Sequence, residues 1–322
     1  MKAIIQTGYG SVDVMQRAEV DKPTPGDGEV LVRVVAASLA AGEYYGMRGR
    51  PFPIRFYIGL PLPKKGFVVG LDFAGVVEAV GADVSAFRPG DEVYGKCHGS
   101  CAEYALADAG SIAPKPASLS FEQAAAVPTS ACTALQGIRD HGKVRAGHKV
   151  LINGASGGVG TYAVQIAKAL GAEVTAVCSA GNVEAVRSLG ADHVIDYAKQ
   201  DFTKGSERYD VILDNVASHS LSATRRVLTP AGLHVPSSGH RGMGWVIAAA
   251  LTGMFVRRQA PIFVAVTDNA SLLALNELIE AGKVMPLIDR TYALSDTREA
   301  FRYLDEGHAR GKVVISAAPV HA

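Results

Sequence analysis

Between Asn153 and Gly160 the chain reads Asn-Gly-Ala-Ser-Gly-Gly-Val-Gly, a run with little side chain and much accessible backbone. Such a turn suits an anion. Gly154, Ala155, Ser156, Gly157, Gly158, Val159 and Gly160 follow the short apolar segment 149–153 and run into the helical pattern 161–170. Without a side chain at Gly157 the backbone can approach a pyrophosphate, and Gly160 lets the helix pack closely on its strand. The helix N-terminus adds unpaired N–H groups and the positive end of its dipole. Ala155 stands where the first glycine of a G-x-G-x-x-G run would be, so the motif alone is weak. The preceding strand, the following helix and a second strand over 172–179 strengthen it.

The end of that second strand bears on which dinucleotide is held. Folds of this kind usually place Asp or Glu there to bond the ribose 2′-hydroxyl of NAD. Here the residues are Val177-Cys-Ser-Ala-Gly-Asn182, with no acid before Glu184. An uncharged pocket with Ser179 and Asn182 can accept a 2′-phosphate, so NADPH is expected, with Arg187 or Lys199 as candidate sources of positive charge. Ligands of parallel α/β sheets sit beyond the carboxyl ends of the strands. That rule adds Cys178, Tyr197, Asn215, Val216 and residues 236–238 to the candidate lining.

Other chemistry-bearing residues fit ordinary roles. Cys97-His98-x-x-Cys101 offers three ligands in a tight loop with no distant fourth, and reads as a surface loop in preference to a metal site. The histidines at 141, 148, 219, 234, 240 and 308 show neither metal spacing nor a triad order, and are expected at the surface or at caps.

These residues need elements to hold them. The 322 residues suit two domains, and 48% hydrophobic with 20% charged content is ordinary for an α/β protein. A net charge of +1 argues against a nucleic-acid or acidic-membrane footprint. The four cysteines follow no disulfide framework and no signal peptide is recognised, so a reducing, cytoplasmic setting is expected. The apolar run 245–256 falls short of the ~20 residues of a membrane span. It is expected to be a buried or substrate-facing helix, with an interfacial membrane contact as the lesser alternative.

Residues 1–120 lack a βαβ rhythm. Strand-like runs at 30–38, 68–80 and 88–94, punctuated by Pro and Gly, suggest a small irregular β-barrel. At Ser120 the pattern changes: Ser120 caps a helix, and Gln123 completes a capping box. From the glycine loop onward, strands and helices alternate through 209–215, helix 221–228 and strand 232–236, with 262–266 as the last strand of a parallel sheet. The fold class is therefore α/β, divided as 1–120, a dinucleotide-binding domain over 121–266, and a return over 267–322.

Four segments in order carry a family resemblance: Val30-Leu-Val-Arg-Val34, Gly70-Leu-Asp-Phe-Ala-Gly-Val-Val-Glu-Ala-Val-Gly81, Phe87-Arg-Pro-Gly-Asp-Glu-Val93 and the glycine loop. Together they resemble the medium-chain dehydrogenase/reductase superfamily over essentially the whole chain. Within it the chain is similar to the zinc-independent quinone oxidoreductase branch, which includes zeta-crystallin and reticulon-4-interacting protein relatives. The resemblance implies a GroES-like irregular β-barrel catalytic domain, split around a Rossmann domain, with the cofactor between them. Zinc members place Cys where Ala40 stands and His-Glu where Leu71-Asp72 stands. Alanine and leucine cannot ligate a metal, so no metal site is expected.

The resemblance also implies roles for individual residues. Tyr45, with Tyr44 beside it, matches a tyrosine near the nicotinamide, and a phenol there can donate to a developing oxyanion or merely form an apolar wall. An Asn found in relatives is replaced by Ala40. Thr133 matches a threonine beside the nicotinamide, Lys312 a cleft-lining lysine, and Asp72 a motif position that can equally be structural. Tyr9 and Tyr57 have weaker claims. The implied activity is NADPH-dependent, zinc-free reduction of quinones or activated enones by hydride transfer. An enoyl-thioester or alkenal reductase, or an NADPH-binding structural or regulatory protein, are the alternatives. The 262–266 edge suggests a homodimer, and substrate choice falls to residues around 44–66 and 240–260, where prolines 51, 53, 61 and 63 suggest a stiff loop and 239–244 one able to open.

Overall fold

The structure, a computed structural model, describes residues 1–50, 52, 54–237, 243–307 and 309–317, without the side chains of Tyr57 and Met243. Pro51, Pro53, residues 238–242, His240 and His308 therefore lie outside the described residues.

In chain order the elements begin with β1 (Lys2–Gln6), β2 (Met15–Glu19), β3 (Glu29–Leu39), α1 (Ala41–Met47) and α2 (Ile54–Ile58). Next come β4 (Asp72–Val80), β5 (Glu92–Lys96), β6 (Tyr104–Asp108), β7 (Ile112–Pro114), α3 (Phe121–Ala125) and α4 (Pro128–Leu135). The alternating part holds β8 (Lys149–Asn153), α5 (Gly158–Ala169), β9 (Glu173–Cys178), α6 (Val183–Ser188), β10 (His193–Asp196), β11 (Tyr209–Asp214), α7 (Leu221–Arg226), β12 (Leu228–Pro236) and α8 (Met243–Phe255). The chain closes with α9 (Asn269–Glu280), β13 (Ile288–Ala293), α10 (Thr297–Asp305) and β14 (Lys312–Ser316). Two compact units result: Met1–Thr129 with Thr267–Asn276 and Pro286–Ala322, and Ser130–Val266 with Glu277–Met285.

The first unit is built on a seven-stranded sheet in which β13–β14–β3–β4–β5–β7 lie in order and β6 pairs with β3. All of its pairings are antiparallel except β13 with β14. β3 organises it. Val30, Val32 and Val34 pack with Phe73, Val77 and Val93 in one core, while Ala37 and Leu39 join Met47, Phe301, Val313 and Ile315 in another. Each such side chain contributes about 1.5–3 kcal/mol on burial. Register shifts near Leu31 and Val34 let one long strand serve both cores. Ser120 caps α3 as its sequence requires, with Gln123 completing the capping box.

The second unit has a five-stranded parallel sheet in the order β10–β9–β8–β11–β12. The central strand shows why parallel strands read as unbroken apolar runs: Val150, Leu151 and Ile152 are fully buried, covered on both faces. Strand order reverses between β8 and β11, the crevice where doubly wound folds take their ligands. The α/β class read from the sequence is the one observed.

Several expectations are corrected. Residues 262–266 form no strand. Pro261 has no N–H to give a ladder, and the Gln136 side chain takes both backbone groups of Val266, at 2.6 and 3.1 Å. The homodimer expectation loses the edge it was drawn from. The last helix before β12 stops at Arg226, because Leu228 already pairs with Tyr209. α8 is not a buried helix: Ile247, Leu251, Met254 and Phe255 are 52%, 55%, 72% and 80% exposed. Among the described residues no helix is long and apolar enough to cross a membrane.

Candidate active site

In the second unit the glycine loop joins β8 to α5, and its glycines differ in what they permit. Gly154 has φ +78°, and a Cβ there would come within 2.6 Å of Val216 Cγ2. A Cβ at Gly160 would meet the Gly154 carbonyl at 2.1 Å, so the close packing of α5 on β8 requires glycine. At Gly157 a Cβ would find only the Gly154 oxygen, at 3.5 Å. Gly157 is therefore bare for what approaches from outside. The Thr161 N–H bonds the Gly157 carbonyl at 3.0 Å, so the amides of Gly158, Val159 and Gly160 precede the first such bond of α5.

Ser156, Ser179 and Asn182 form one group: the Asn182 amide donates to Ser156 Oγ at 3.1 Å and to Ser179 Oγ at 3.0 Å. Asn182 Oδ1 and Asn215 Nδ2 are enclosed without hydrogen-bond partners. Orphan polar atoms cost about 1–3 kcal/mol each when buried, which suits a bound polar ligand. Cys178 buries its thiol, which is raised by burial and then by the Asp196 charge. Its carbonyl accepts the N–H of Tyr197, whose side chain is 63% exposed, while Val216 is 37% exposed. Arg187 is paired with Glu184 and Lys199 with Asp196, so each candidate cation already has an acidic neighbour. Thr133 lies half-buried on α4, in this unit.

Beneath the loop lies a polar node that the sequence reading did not single out. Asp214 Oδ1 accepts from Asn153 Nδ2 at 2.8 Å and from the amides of Ala217 at 2.8 Å and Val216 at 3.2 Å. His234 is fully buried, its Nε2 3.6 Å from Asp214 Oδ2. Burial alone would raise the Asp214 carboxyl, but His234, the Ala217 amide and Asn153 outweigh it and hold it below the usual range. The node joins the end of β8 to the turn after β11, where Ala217 is held at φ +59°. His234 is thus a core residue, contrary to the surface expectation, because its β12 position faces the interior. The only sequence signal was an acid closing an apolar strand.

In the first unit the cleft-motif residues form a buried charged cluster. Lys312 Nζ lies 3.6 Å from Asp72 Oδ2, with side chains 2% and 1% exposed. Asp72 also accepts the Thr129 hydroxyl at 2.5 Å and its N–H at 3.2 Å. Thr129 follows Pro128, the first residue of α4, so the carboxylate satisfies an amide of a helix N-terminus. Burial raises the Asp72 carboxyl despite Lys312 and Thr129. Lys312, the first residue of β14, is accordingly shut from water.

Three residues after Ala40, Glu43 turns its carboxyl inward. Its Oε2 accepts the Ala40 N–H at 2.5 Å, while Oε1 is enclosed and unpartnered. The residue as a whole is half-buried, but its carboxyl is shut from water, and burial followed by the Asp72 charge raises it to about 8. The sequence reading missed Glu43 because Ala40 breaks the capping-box signature that would have flagged it.

Of the two tyrosines, Tyr44 gives its hydroxyl to Asp305 and lies under Arg48, which also bonds Asp305. Tyr45 is half-buried, and burial raises its phenol, which keeps it protonated at neutral pH. Tyr9 donates to the Gly59 carbonyl at 2.6 Å. Cys97 and Cys101 do not form a surface loop: both are buried, and burial first, then nearby acids, hold their thiols well above the ordinary range.

A doubly wound sheet with a phosphate cradle at its switch point defines a dinucleotide-binding α/β protein. Residues 26–137 match the alcohol dehydrogenase GroES-like domain, and residues 189–315 match the zinc-binding dehydrogenase model. Over 334 residues the chain is 36% identical to the 2-methylene-furan-3-one reductase of Solanum lycopersicum, covering 99% of this chain and 80% of that protein. It is 34% identical to the NADPH-dependent alkenal/one oxidoreductase, chloroplastic, of Arabidopsis thaliana, again over 99% of this chain and 80% of the relative. The solved quinone oxidoreductase from Coxiella burnetii superposes with a TM-score of 0.89 at 31% identity, covering 99% of both chains. The chain belongs to the medium-chain dehydrogenase/reductase superfamily.

Proposed function

We propose that this protein is an NADPH-dependent, zinc-free reductase that transfers hydride to quinones or to α,β-unsaturated carbonyls. One observation carries the reading: a glycine turn with an open face at Gly157, leading into α5, occurs in a chain whose Ala40 and Leu71 stand where metal-dependent members have zinc-ligating side chains. Without a Lewis acid to polarise a simple carbonyl, the acceptor must be activated by its own conjugation. The activities named for the relatives, alkenal/one oxidoreduction and quinone oxidoreduction, support the same class.

NADPH would supply the hydride, and the residues present fit it. The Gly157 backbone and the amides of Gly158 to Gly160 would hold the pyrophosphate, as the open face at Gly157 allows. Ser156, Ser179 and Asn182 would hold the 2′-phosphate. Turned over about its Cβ–Cγ bond, the Asn182 amide would accept from both serines and point its N–H₂ where the orphan Oδ1 now lies. Asn215 and Val216 would border the ribose, and Asp214 fixes their turn. Tyr197 would flank the adenine end. Tyr45, kept protonated by burial, would donate to the oxygen that gains charge on reduction. Tyr44 is spoken for by Asp305 and serves to anchor its helix. Thr133 and Lys312 remain the proposed supports of the nicotinamide side, Lys312 acting through Asp72.

A reducing, cytoplasmic setting fits four buried cysteines with no disulfide among them. The test is NADPH oxidation with 9,10-phenanthrenequinone, 1,4-benzoquinone, an alkenal and crotonyl-CoA. Turnover with a quinone or enone is expected. Tight NADPH binding without turnover of any acceptor would overturn the enzymatic reading, and one tightly bound zinc per chain would overturn the zinc-free one.

A further inference from the structure

Glu43 is a carboxylic acid placed where the one enclosed lysine is already paired with Asp72. Asp72 on β4 and Lys312 on β14 already form a balanced buried pair, 3.6 Å apart. Lys96 on β5 acts on Asp72, and the enclosed thiols of Cys97 and Cys101 feel Glu43. Among the enclosed side chains Asp72 and Lys312 cancel while Glu43 is protonated, and ionising Glu43 leaves one uncompensated negative charge there, Lys96 being only half-buried. The amide of Ala40, the charge of Lys312 and the amide of Leu71 favour ionisation. They do not prevail over burial and Asp72.

The carboxyl is also mechanically placed. It bonds the N–H of Ala40, and the Glu43 N–H bonds the Ala40 carbonyl at 3.1 Å, so Glu43 ties the first turn of α1 at both backbone groups of Ala40. The last turn is held separately by Tyr44 and Arg48 on Asp305. Tyr45 sits between these two anchors.

We propose that Glu43 is a positioning residue for Tyr45: as a neutral acid beside the Asp72–Lys312 pair it sets the first turn of α1, and its ionisation displaces that turn and the tyrosine. The proposal rests on the reading of Tyr45 as the substrate-facing phenol. It makes the reductase switch off on the alkaline side by loss of one proton from a carboxyl that never touches the substrate. With a carboxyl near 8, roughly a tenth is ionised at pH 7 and nine-tenths at pH 9. An amide at this position keeps the acceptor for Ala40 N–H and cannot ionise.

The test follows the ¹³C-carboxyl resonance of Glu43 and the ring resonances of Tyr45 in the full chain from pH 6 to 9.5, alongside kcat/KM with 9,10-phenanthrenequinone. Glu43 is expected to titrate near 8, Tyr45 to shift with the same midpoint, and kcat/KM to fall about tenfold per pH unit above it. In Glu43→Gln the Tyr45 shift and the kinetic limb should both vanish, and Glu43→Asp should restore a limb with a moved midpoint. A Glu43 midpoint below 6, or a Tyr45 shift that persists in Glu43→Gln, would overturn the proposal. If the parent turns over no acceptor, the resonances still decide on Glu43 while the function fails alone. If kcat/KM keeps its limb when the Tyr45 shift is gone, the link from tyrosine to catalysis is wrong.

Discussion

Lys312 and Asp72 neutralise each other inside the first unit, Nζ to Oδ2 3.6 Å, from β14 and β4, two strands that both pair with β3. Neither has water to fall back on. Removing one charge strands the other, which typically costs about 3–5 kcal/mol, whereas replacing both by apolar groups can be near neutral. Lys312→Met is therefore expected to lose that much stability, and Lys312→Met with Asp72→Leu to recover much of it, apart from the lost Thr129 contacts. Urea unfolding of the two variants decides it, and equal losses would mean the pair is not coupled.

Glu43 makes stability depend on pH in a defined direction. Its folded carboxyl titrates at about 8 against an ordinary 4.5, so between these values the folded protein holds the extra proton. Stability from this group is full below pH 4.5, declines as pH rises, and is gone above 8. By pH 7 the accumulated loss is on the order of 3 kcal/mol. Glu43→Gln has no such slope, so its stability relative to the parent should rise by about 1.4 kcal/mol per pH unit between pH 5 and 8. Denaturant titrations at each pH unit measure the difference, and a constant difference would contradict an enclosed carboxyl.

The glycines of the cradle should separate binding from folding. Gly157→Ala adds a methyl that meets only one oxygen at 3.5 Å, so the fold should keep its melting temperature within a few degrees. Its NADPH dissociation constant should rise at least about tenfold, because the methyl occupies the phosphate approach. Gly160→Ala instead drives a Cβ to within 2.1 Å of the Gly154 carbonyl and should destabilise the protein by about 1–3 kcal/mol. Calorimetry with and without NADPH distinguishes them. Equal effects on both properties would count against this division of labour.

Cofactor choice should reverse at the end of β9. Ser179→Asp places a carboxylate where the Ser156–Asn182–Ser179 group is proposed to take the 2′-phosphate. NADPH affinity should fall at least about tenfold by charge repulsion, while NADH gains an acceptor for its 2′-hydroxyl. Dissociation constants for both nucleotides give the answer; an unchanged ratio would place the phosphate elsewhere.

Local patterns carried most of the second unit. An apolar strand, a glycine turn and a helix are adjacent in the chain, so the cradle was legible from residues 149–170, and the capping box at Ser120 from two residues three apart. Where several partners compete for one segment, the sequence misled: 262–266 has strand composition, but Gln136, distant in sequence, takes the backbone of Val266. The apolar run of α8 fits a buried or a substrate-facing helix equally well in sequence, and the structure removes the buried one, since Ile247, Leu251, Met254 and Phe255 face outward.

The sequence by itself determined the family, the α/β class, the dinucleotide turn and the loss of zinc-ligating side chains, because each depends on residue type and on neighbours within about twenty positions. Only the tertiary structure decided which charges are enclosed. Glu43, Asp72 and Lys312 lie far apart in the chain, as do Asn153, Asp214 and His234, and nothing in their composition marks them as partners. Ionisation depends on the dielectric and on charges within a few ångströms, and those are set by how strands from separate parts of the chain come to lie side by side.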